Sequence, residues 1–295
     1  MIDGGTDSVP FLHVVTDGVR WPAAPGPLAR KVSDGGADRI HVRLPGATAR
    51  EVHRVAREIV RATPAASTVV VHDRADVAVA LWEEGEKVAV HLPESSFDPA
   101  DLGAVLPRAM QWGASRHDPQ GVRLARVSAE ASGRPLDWIL VGHVYATHSH
   151  PGAVPLGERG LSAAIAMSAG VPIVAIGGVG AAEVQRLRER GAAGVAILGA
   201  VFGPRGVEDE VRRVRDALDR WPAPGRLKTM NVTLNGRSIE IREGHTVGQL
   251  LGERAIEVET VVVELNREIL PRSEVEDRRL ASDDVLEVVR FVGGG

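Results

Sequence analysis

The chain of 295 residues contains no cysteine. That absence excludes disulfides, a cysteine zinc site and a persulfide intermediate on this polypeptide. Long apolar runs are missing as well: none approaches the roughly 20 residues that a membrane-spanning helix needs. Met1-Ile2-Asp3-Gly4-Gly5-Thr6-Asp7 lacks the basic and apolar regions of a signal peptide, so a cytoplasmic protein is expected. Charge of neither sign dominates. Lys and Arg number 35 against 39 Asp and Glu, a net charge of −4, and neither nucleic acid nor a membrane is an expected partner. No G-x-G-x-x-G follows the first apolar run, where Thr16-Asp17-Gly18 stands instead, which disfavours an open dinucleotide-binding sheet.

What the sequence does have is a strand-then-helix rhythm through its first 220 residues. Apolar, β-branched-rich runs fall at 12–15, 39–42, 68–71, 87–92, 109–113, 138–144, 172–176 and 194–198. Between them, apolar residues recur at helical spacing, most clearly over 47–62, 74–84, 119–131, 161–169 and 182–190. Eight such units are expected for a (β/α)8 TIM barrel, whose strands are buried on both faces and read as near-continuous apolar runs.

Chemistry in that fold belongs to the C-terminal ends of the strands and the loops after them. Those positions hold Thr16 and Asp17, Arg43, His72 and Asp73, His91, Ser115 and His117, His143, Gly177 and Gly178, and Gly199 with Ala200. The two glycine clusters follow the seventh and eighth runs, where barrels often bind phosphate through backbone N–H groups. Tight turns that merely need glycine are the structural alternative. A phosphorylated small molecule is the expected ligand. His148-x-His150, with His72 and His91, invites a metal, but paired histidines are an incomplete zinc site, and these are expected to line a solvated loop; no metal and no cofactor is expected.

A composition shift at Trp221-Pro222-Ala223-Pro224-Gly225 suits a semi-rigid linker and follows a charged amphipathic helix over 207–220. Beyond it, 231–234 and 238–241 alternate polar and apolar residues around Asn235-Gly236, the dipeptide most favoured in a two-residue hairpin. Thr246 stands as an N-cap before Val247, Leu250 and Leu251, which share one helical face. Two further strands are expected over 260–265 and 285–292, giving the order ββαβ…β. The chain then ends in Gly293-Gly294-Gly295. A glycine end, having no Cβ, threads a narrow channel in almost any conformation; a frayed terminus is the bland alternative.

That segment, with Met230-Asn231-Val232-Thr233-Leu234-Asn235-Gly236, Val263-Glu264-Leu265-Asn266 and Phe291-Val292-Gly293-Gly294-Gly295, resembles the ThiS-type sulfur carrier of thiamine biosynthesis, a ubiquitin-like β-grasp domain. A molybdopterin-type carrier shares the fold and the tail. The resemblance implies that an activating enzyme adenylates Gly295, that Gly294 and Gly295 carry sulfur as a thiocarboxylate, and that thiazole synthase receives it.

The barrel half carries its own resemblance. Phe11-Leu12-His13-Val14-Val15-Thr16-Asp17, Ile40-His41-Val42-Arg43, Val71-His72-Asp73-Arg74-Ala75-Asp76, Val141-Gly142-His143-Val144-Tyr145-Ala146-Thr147 and Val171-Pro172-Ile173-Val174-Ala175-Ile176-Gly177-Gly178-Val179 look like the thiamine phosphate synthase superfamily, in order. Its synthase branch needs Mg²⁺ on acidic residues and lysines that grip a diphosphate. Here Arg43 is followed by Leu44-Pro45-Gly46, the Asn-Asp pair is His72-Asp73, the second metal carboxylate aligns with Ser96, and two lysines become His148 and His150. The TenI-type thiazole tautomerase branch carries Gly-His-Val-Phe-x-Thr, which Gly142-His143-Val144-Tyr145-Ala146-Thr147 matches with Tyr for Phe.

The resemblance makes His143 the acid/base that aromatises the thiazole carboxylate phosphate released by thiazole synthase. Imidazole suits this because an unperturbed pKa of about 6.5 lets one ring take and return a proton near neutrality. Arg43 would face the substrate carboxylate or phosphate, its alternative being an ion pair across the barrel mouth. Ser115, Gly177, Gly178, Gly199 and Ala200 complete the expected binding set. The expected organisation is a barrel over 1–220, a linker over 221–229 and a carrier over 230–295, with a homo-oligomer left open. A Mg-dependent synthase, or an inert barrel that docks the carrier, are the rival expectations.

Overall fold

In the computed structural model, the described residues are 11–16, 18, 21–147, 152–220, 229–242, 244–254, 256 and 258–290. The chain divides into two compact units, Met1–Ala223 and Pro224–Gly295. The expected linker lies, apart from Thr229, outside the described residues, and so does the glycine tail.

Eight parallel strands close the barrel of the first unit: β1 (Phe11–Val15), β2 (Arg39–Val42), β3 (Thr68–His72), β4 (Val88–Leu92), β5 (Trp112–Arg116), β6 (Trp138–Val141), β7 (Ile173–Ile176) and β8 (Gly194–Ile197). β1 closes on β8 through the register Phe11↔Gly194 to Val14↔Ile197. Around them lie α1 (Pro25–Asp34), α2 (Ala49–Ala62), α3 (Ala75–Glu83), α4 (Pro99–Gly103), α5 (Pro119–Ala131), α6 (Gly157–Met167), α7 (Val184–Glu189) and α8 (Val207–Asp219). The TIM barrel expected from the rhythm is therefore the fold.

Local chemistry explains where these helices begin. Thr48 caps α2 in a reciprocal box, its hydroxyl accepting from Glu51 N while the Glu51 carboxylate accepts from Thr48 N at 2.8 Å. The stripe Val52, Val55, Ala56 and Ile59 then turns one face of α2 onto the barrel. Asp118 caps α5 ahead of Pro119, whose missing N–H costs nothing in a first turn.

Two expectations shift. The fifth strand starts three residues later than the apolar run 109–113, because Met110 is buried in a turn closed by its N–H on the Pro107 carbonyl at 2.9 Å, while the strand itself carries the polar Ser115 and Arg116. The sixth helix begins at Gly157 rather than 161, its first turn being polar and invisible to an apolar pattern.

The barrel is filled by side chains two apart along each strand, as its pleat requires. Val70, Ala89, Trp138, Leu140, Val174 and Ala196 form one buried cluster there, apart from the larger core between strands and helices. Arg39 closes it, its guanidinium stacked 4.7 Å from the ring centroids of both Phe11 and Trp138. Gly113 is required opposite: a Cβ there would overlap the Trp138 indole.

The second unit is a five-stranded mixed sheet in the order β10-β9-β13-β11-β12, formed by β9 (Thr229–Leu234), β10 (Arg237–Arg242), β11 (Val261–Leu265), β12 (Glu268–Ile269) and β13 (Val285–Arg290). Helix α9 (Val247–Glu253) and the short α10 (Arg272–Val275) complete it. Asn235 and Gly236 turn the hairpin at φ +48° and +74°, as a two-residue turn demands. The Asn235 side chain also accepts from Val288 N at 2.7 Å, which ties the turn to β13. Val247, Leu250 and Leu251 of α9 pack on Val232, Val263 and Leu286 of the sheet. This is the expected β-grasp, with β12 and α10 as additions too short for a periodic pattern to show.

Candidate active site

His143 sits on the loop after β6, and that loop is pinned on both sides. Val144 N donates to Ile176 O at 2.9 Å and Tyr145 N to Gly177 O at 3.0 Å, so the loop continues alongside β7. Leu156 N donates to His143 O and Gly157 N to Val144 O, both at 3.0 Å, which ties it to the entry of α6. Such close packing dictates glycine. A Cβ on Gly142 would overlap Ile176 O, one on Gly177 would stand 2.5 Å from His143 Cα, and one on Gly178 would stand 2.7 Å from Tyr145 Cβ. Gly177 and Gly178, at φ +95° and +67°, are thus demanded by the approach of the His143 loop, whatever their N–H groups bind.

A cavity of ≈ 510 Å³ opens beside this loop, lined by His117, Gly142, His143, Val154, Pro155 and Leu156. The His143 Nε2 lies 3.4 Å from the Ala153 carbonyl, which can only accept, so Nε2 carries a hydrogen in this contact. Tyr145 anchors the loop from outside. Its hydroxyl donates to Glu158 at 3.0 Å, and Arg190 holds the other oxygen of that carboxylate at 3.1 Å. Burial, then the Glu158 carboxylate, push the Tyr145 phenol up to about 12, which leaves it a neutral donor and a structural strut.

Below the mouth the barrel holds histidines alongside its aliphatic filling. Trp138 Nε1 donates to His91 Nδ1 at 3.1 Å, and an indole can only donate. The proton of neutral His91 is therefore on Nε2, which lies 2.7 Å from Ser115 Oγ and donates to it. Ser115 accepts from below and its own O–H is left to donate elsewhere, a directed chain from Trp138 to the rim. His13 Nδ1 and His41 Nε2 share one hydrogen at 3.0 Å, while His13 Nε2 and His41 Nδ1 have no partner. In either tautomer one buried N–H goes unmet, at a cost of about 1–3 kcal/mol.

Burial drives all of these rings toward the neutral form. It holds His13, His41 and His91 well below the ordinary imidazole range, helped by Arg39 at His13, by neighbouring rings at His41 and His91. Burial and then the Arg43 charge lower His72 to about 3. His91 was expected on a solvated rim and is fully buried instead, because β4 turns it inward two residues above Ala89. His148, His150 and Asp17 lie outside the described residues.

Arg43 is exposed on the loop after β2, its backbone N–H and carbonyl both paired with the Thr16 hydroxyl at 2.8 Å. Gly199 and Ala200 are exposed in a short 3-10 turn after β8, and a Cβ on Gly199 would meet nothing within 4 Å. His13, His41 and Glu158 were missed by sequence reasoning. The first two were legible in principle from the period-two pleat, since His41 sits two positions before Arg43 and His13 two before Val15 at the end of β1.

Among the described residues no group of three or more His, Asp or Glu side chains is placed to hold a metal. Asp73 is exposed, with uncharged Ser96 on the next loop. The barrel's lysines, Lys31 in the last turn of α1 and Lys87 just before β4, belong to the opposite end.

Residues 12–201 match the family described as thiamine monophosphate synthase, and residues 229–295 match the ThiS family. Thiamine-phosphate synthase of Methanoculleus marisnigri is 36% identical over 204 residues, covering 68% of this chain and 90% of the relative. That of Chlorobium luteolum is 31% identical over 205 residues, covering 69% and 90%. Among solved structures, the thiamine phosphate pyrophosphorylase from Pyrococcus furiosus superposes with a TM-score of 0.60 at 25% identity, covering 73% of this chain and 98% of that one. No helix among the described residues is long and apolar enough to cross a membrane. A closed (β/α)8 barrel followed by a β-grasp unit, the chain thus belongs to the thiamine monophosphate synthase family of thiamine biosynthesis, joined in one chain to a ThiS domain.

Proposed function

We propose that the barrel is a thiazole tautomerase that aromatises a thiazole carboxylate phosphate, and that the β-grasp domain carries sulfur as a thiocarboxylate on Gly295. The observation that carries the first half is His143, held on a loop pinned to β7 and α6 and facing a cavity open to a small molecule. The reaction breaks a ring C–H bond next to the carboxylate and makes a C–H bond on an exocyclic carbon, with no oxidant. An imidazole that takes the ring proton supplies the general base, typically worth 10²–10⁴-fold. Ser115, whose O–H is directed outward by His91, would donate to the substrate phosphate or carboxylate, together with Arg43 and the backbone at Gly177, Gly178, Gly199 and Ala200.

Sulfur chemistry would rest on Gly294 and Gly295, since no cysteine exists to hold it. The partners of this half would be an adenylating enzyme and thiazole synthase, whose product the barrel then receives.

A second reading, thiamine phosphate synthase, is favoured by the names of the relatives. It requires Mg²⁺ and positive charge to neutralise a departing pyrophosphate. The loop after β4 offers Ser96 where a carboxylate would serve, and Lys31 and Lys87 stand at the far end of the barrel. One experiment separates the two. Enzymatically generated thiazole synthase product is mixed with the protein and followed by ultraviolet absorbance, wild type against His143→Asn, with Mg²⁺-dependent pyrophosphate release from a pyrimidine pyrophosphate supplied with thiazole phosphate measured in parallel. Rapid aromatisation lost in the variant supports the tautomerase; pyrophosphate release without aromatisation supports the synthase.

A further inference from the structure

Among the described residues lining the cavity, His117 is the titratable group besides His143, and its surroundings fix what it can do. It leaves β5 two residues after Ser115, and its Nδ1 is hydrogen-bonded to the carbonyl of Gly142, the residue before His143. A carbonyl cannot donate, so Nδ1 carries the hydrogen of this bond and any proton transfer falls to Nε2. The Glu94 carboxylate, on the loop after β4, faces that Nε2 at 3.7 Å. His143 is fixed in the opposite sense, with its hydrogen on Nε2 toward Ala153. Two imidazoles of opposite tautomer thus border one cavity, and a backbone carbonyl ties the first to the loop that carries the second.

The proposed isomerisation needs protons handled at two separated carbons, the ring carbon beside the carboxylate and the exocyclic carbon across the ring. Resting on that reading, we propose that His117 is a second catalytic residue, delivering from Nε2 the proton that the exocyclic carbon receives, while His143 removes the ring proton. The ring C–H bond breaks and its proton passes to His143. The electron pair shifts through the ring to the exocyclic carbon. There a new C–H bond forms with the proton of His117, and the substrate leaves as its aromatic isomer. His143 then returns its proton to solvent, and His117 regains one beside the Glu94 carboxylate, so no net charge or electron is consumed.

The geometry also supplies a variant that separates chemistry from support. In His117→Asn the amide nitrogen can replace Nδ1 as donor to the Gly142 carbonyl, but nothing replaces Nε2. Full-length protein is given enzymatically generated substrate in D2O and followed by proton NMR. Wild type is expected to place solvent deuterium on the exocyclic carbon. His117→Asn is expected to keep exchanging the ring hydrogen with solvent yet to aromatise at least about 10²-fold more slowly, and His117→Ala to do the same. Wild-type turnover in His117→Asn overturns the assignment, as does parallel loss of ring exchange and turnover, or a wild-type product whose exocyclic carbon retains the ring hydrogen. Wild type that neither exchanges nor aromatises overturns the tautomerase reading itself, and this assignment with it.

Discussion

The interiors of the two units differ in what they bury beside their aliphatic side chains. Inside the barrel, Arg39, His13, His41 and His91 are buried among aromatic rings, and several of their polar atoms lack partners. The β-grasp core is Val232, Val247, Leu250, Leu251, Val263 and Leu286, and among its described residues the one buried polar side chain is His245. Aliphatic packing is non-directional and tolerant, so the carrier core needs only volume to hold its sheet. The barrel gives up part of that stability for hydrogen bonds that aim a hydroxyl at its mouth. A polar interior therefore accompanies the unit whose proposed chemistry lies at its mouth, and an apolar one the unit whose proposed chemistry sits on its tail.

Acid should break this contrast most sharply. The folded barrel holds His13, His41 and His91 well below the usual imidazole range and His72 at about 3, whereas the unfolded chain titrates them near 6.5. Between those values the unfolded chain binds more protons, so stability is complete above about pH 6.5 and falls as pH drops, by up to about 1.4 kcal/mol per unit for each ring. Burial raises the Asp38 and Asp137 carboxyls, which opposes the trend only at lower pH. All five tryptophans precede the β-grasp unit, four of them within the described barrel, so indole fluorescence reports the barrel. Its melting temperature should drop by many degrees from pH 7.5 to 5, while amide protection factors in the β-grasp sheet, corrected for the intrinsic pH dependence of exchange, change little; equal sensitivity in both units would contradict the neutral-histidine account.

A pair of glycine substitutions sharpens the comparison on a smaller scale. Gly177→Ala adds a Cβ against His143 at φ +95°, combining overpacking with left-handed strain, and should cost the barrel about 3 kcal/mol along with most of any activity that uses His143. Gly236→Ala, at φ +74° with nothing within 4 Å, bears only the conformational term and should cost the β-grasp unit about 1–2 kcal/mol. Denaturant titration read by fluorescence for the first and by backbone NMR for the second tests the ranking; equal effects would mean that the His143 loop yields easily.

The divide also marks what the sequence made legible. Eight strands, the Asn235-Gly236 turn and the Thr246 cap follow from local rules that fold as read. His143 and the glycines after β7 fall where the strand ends place them. Which face of a strand a polar residue takes was harder: His91 reads as a rim residue because polarity suggests solvent, yet the period-two pleat turns it inward to Trp138. The late start of β5 has the same origin, since Ser115 and Arg116 are strand residues with polar side chains. Tautomers are a tertiary property, set by donors from other strands, and no local pattern contains them.

Trp138→Phe tests whether the polar chain inside the barrel does more than fill space. Phenylalanine keeps a ring for Arg39 but leaves His91 Nδ1 without a donor, at a cost of about 1–3 kcal/mol. His91 is then free to change tautomer, and Ser115 can turn its hydroxyl inward. The expected signature is a raised KM for a phosphorylated substrate with kcat little changed; stability loss alone would make the chain structural.

The smallest effect belongs to the carrier. Thr246 closes a capping box on α9, accepting from Gln249 N at 3.2 Å while Gln249 Oε1 accepts from Thr246 N at 2.9 Å. Thr246→Ala removes the first bond but leaves the Leu250 and Leu251 anchors in an aliphatic core, so about 1 kcal/mol should be lost from the β-grasp unit alone. Because that core is tolerant, the proposed transfer of sulfur to the tail should continue at the wild-type rate at 25 °C, measured by mass spectrometry of the expected thiocarboxylate. A slowed transfer despite a folded sheet would show that α9 itself is recognised, and that the carrier's function is not confined to its tail.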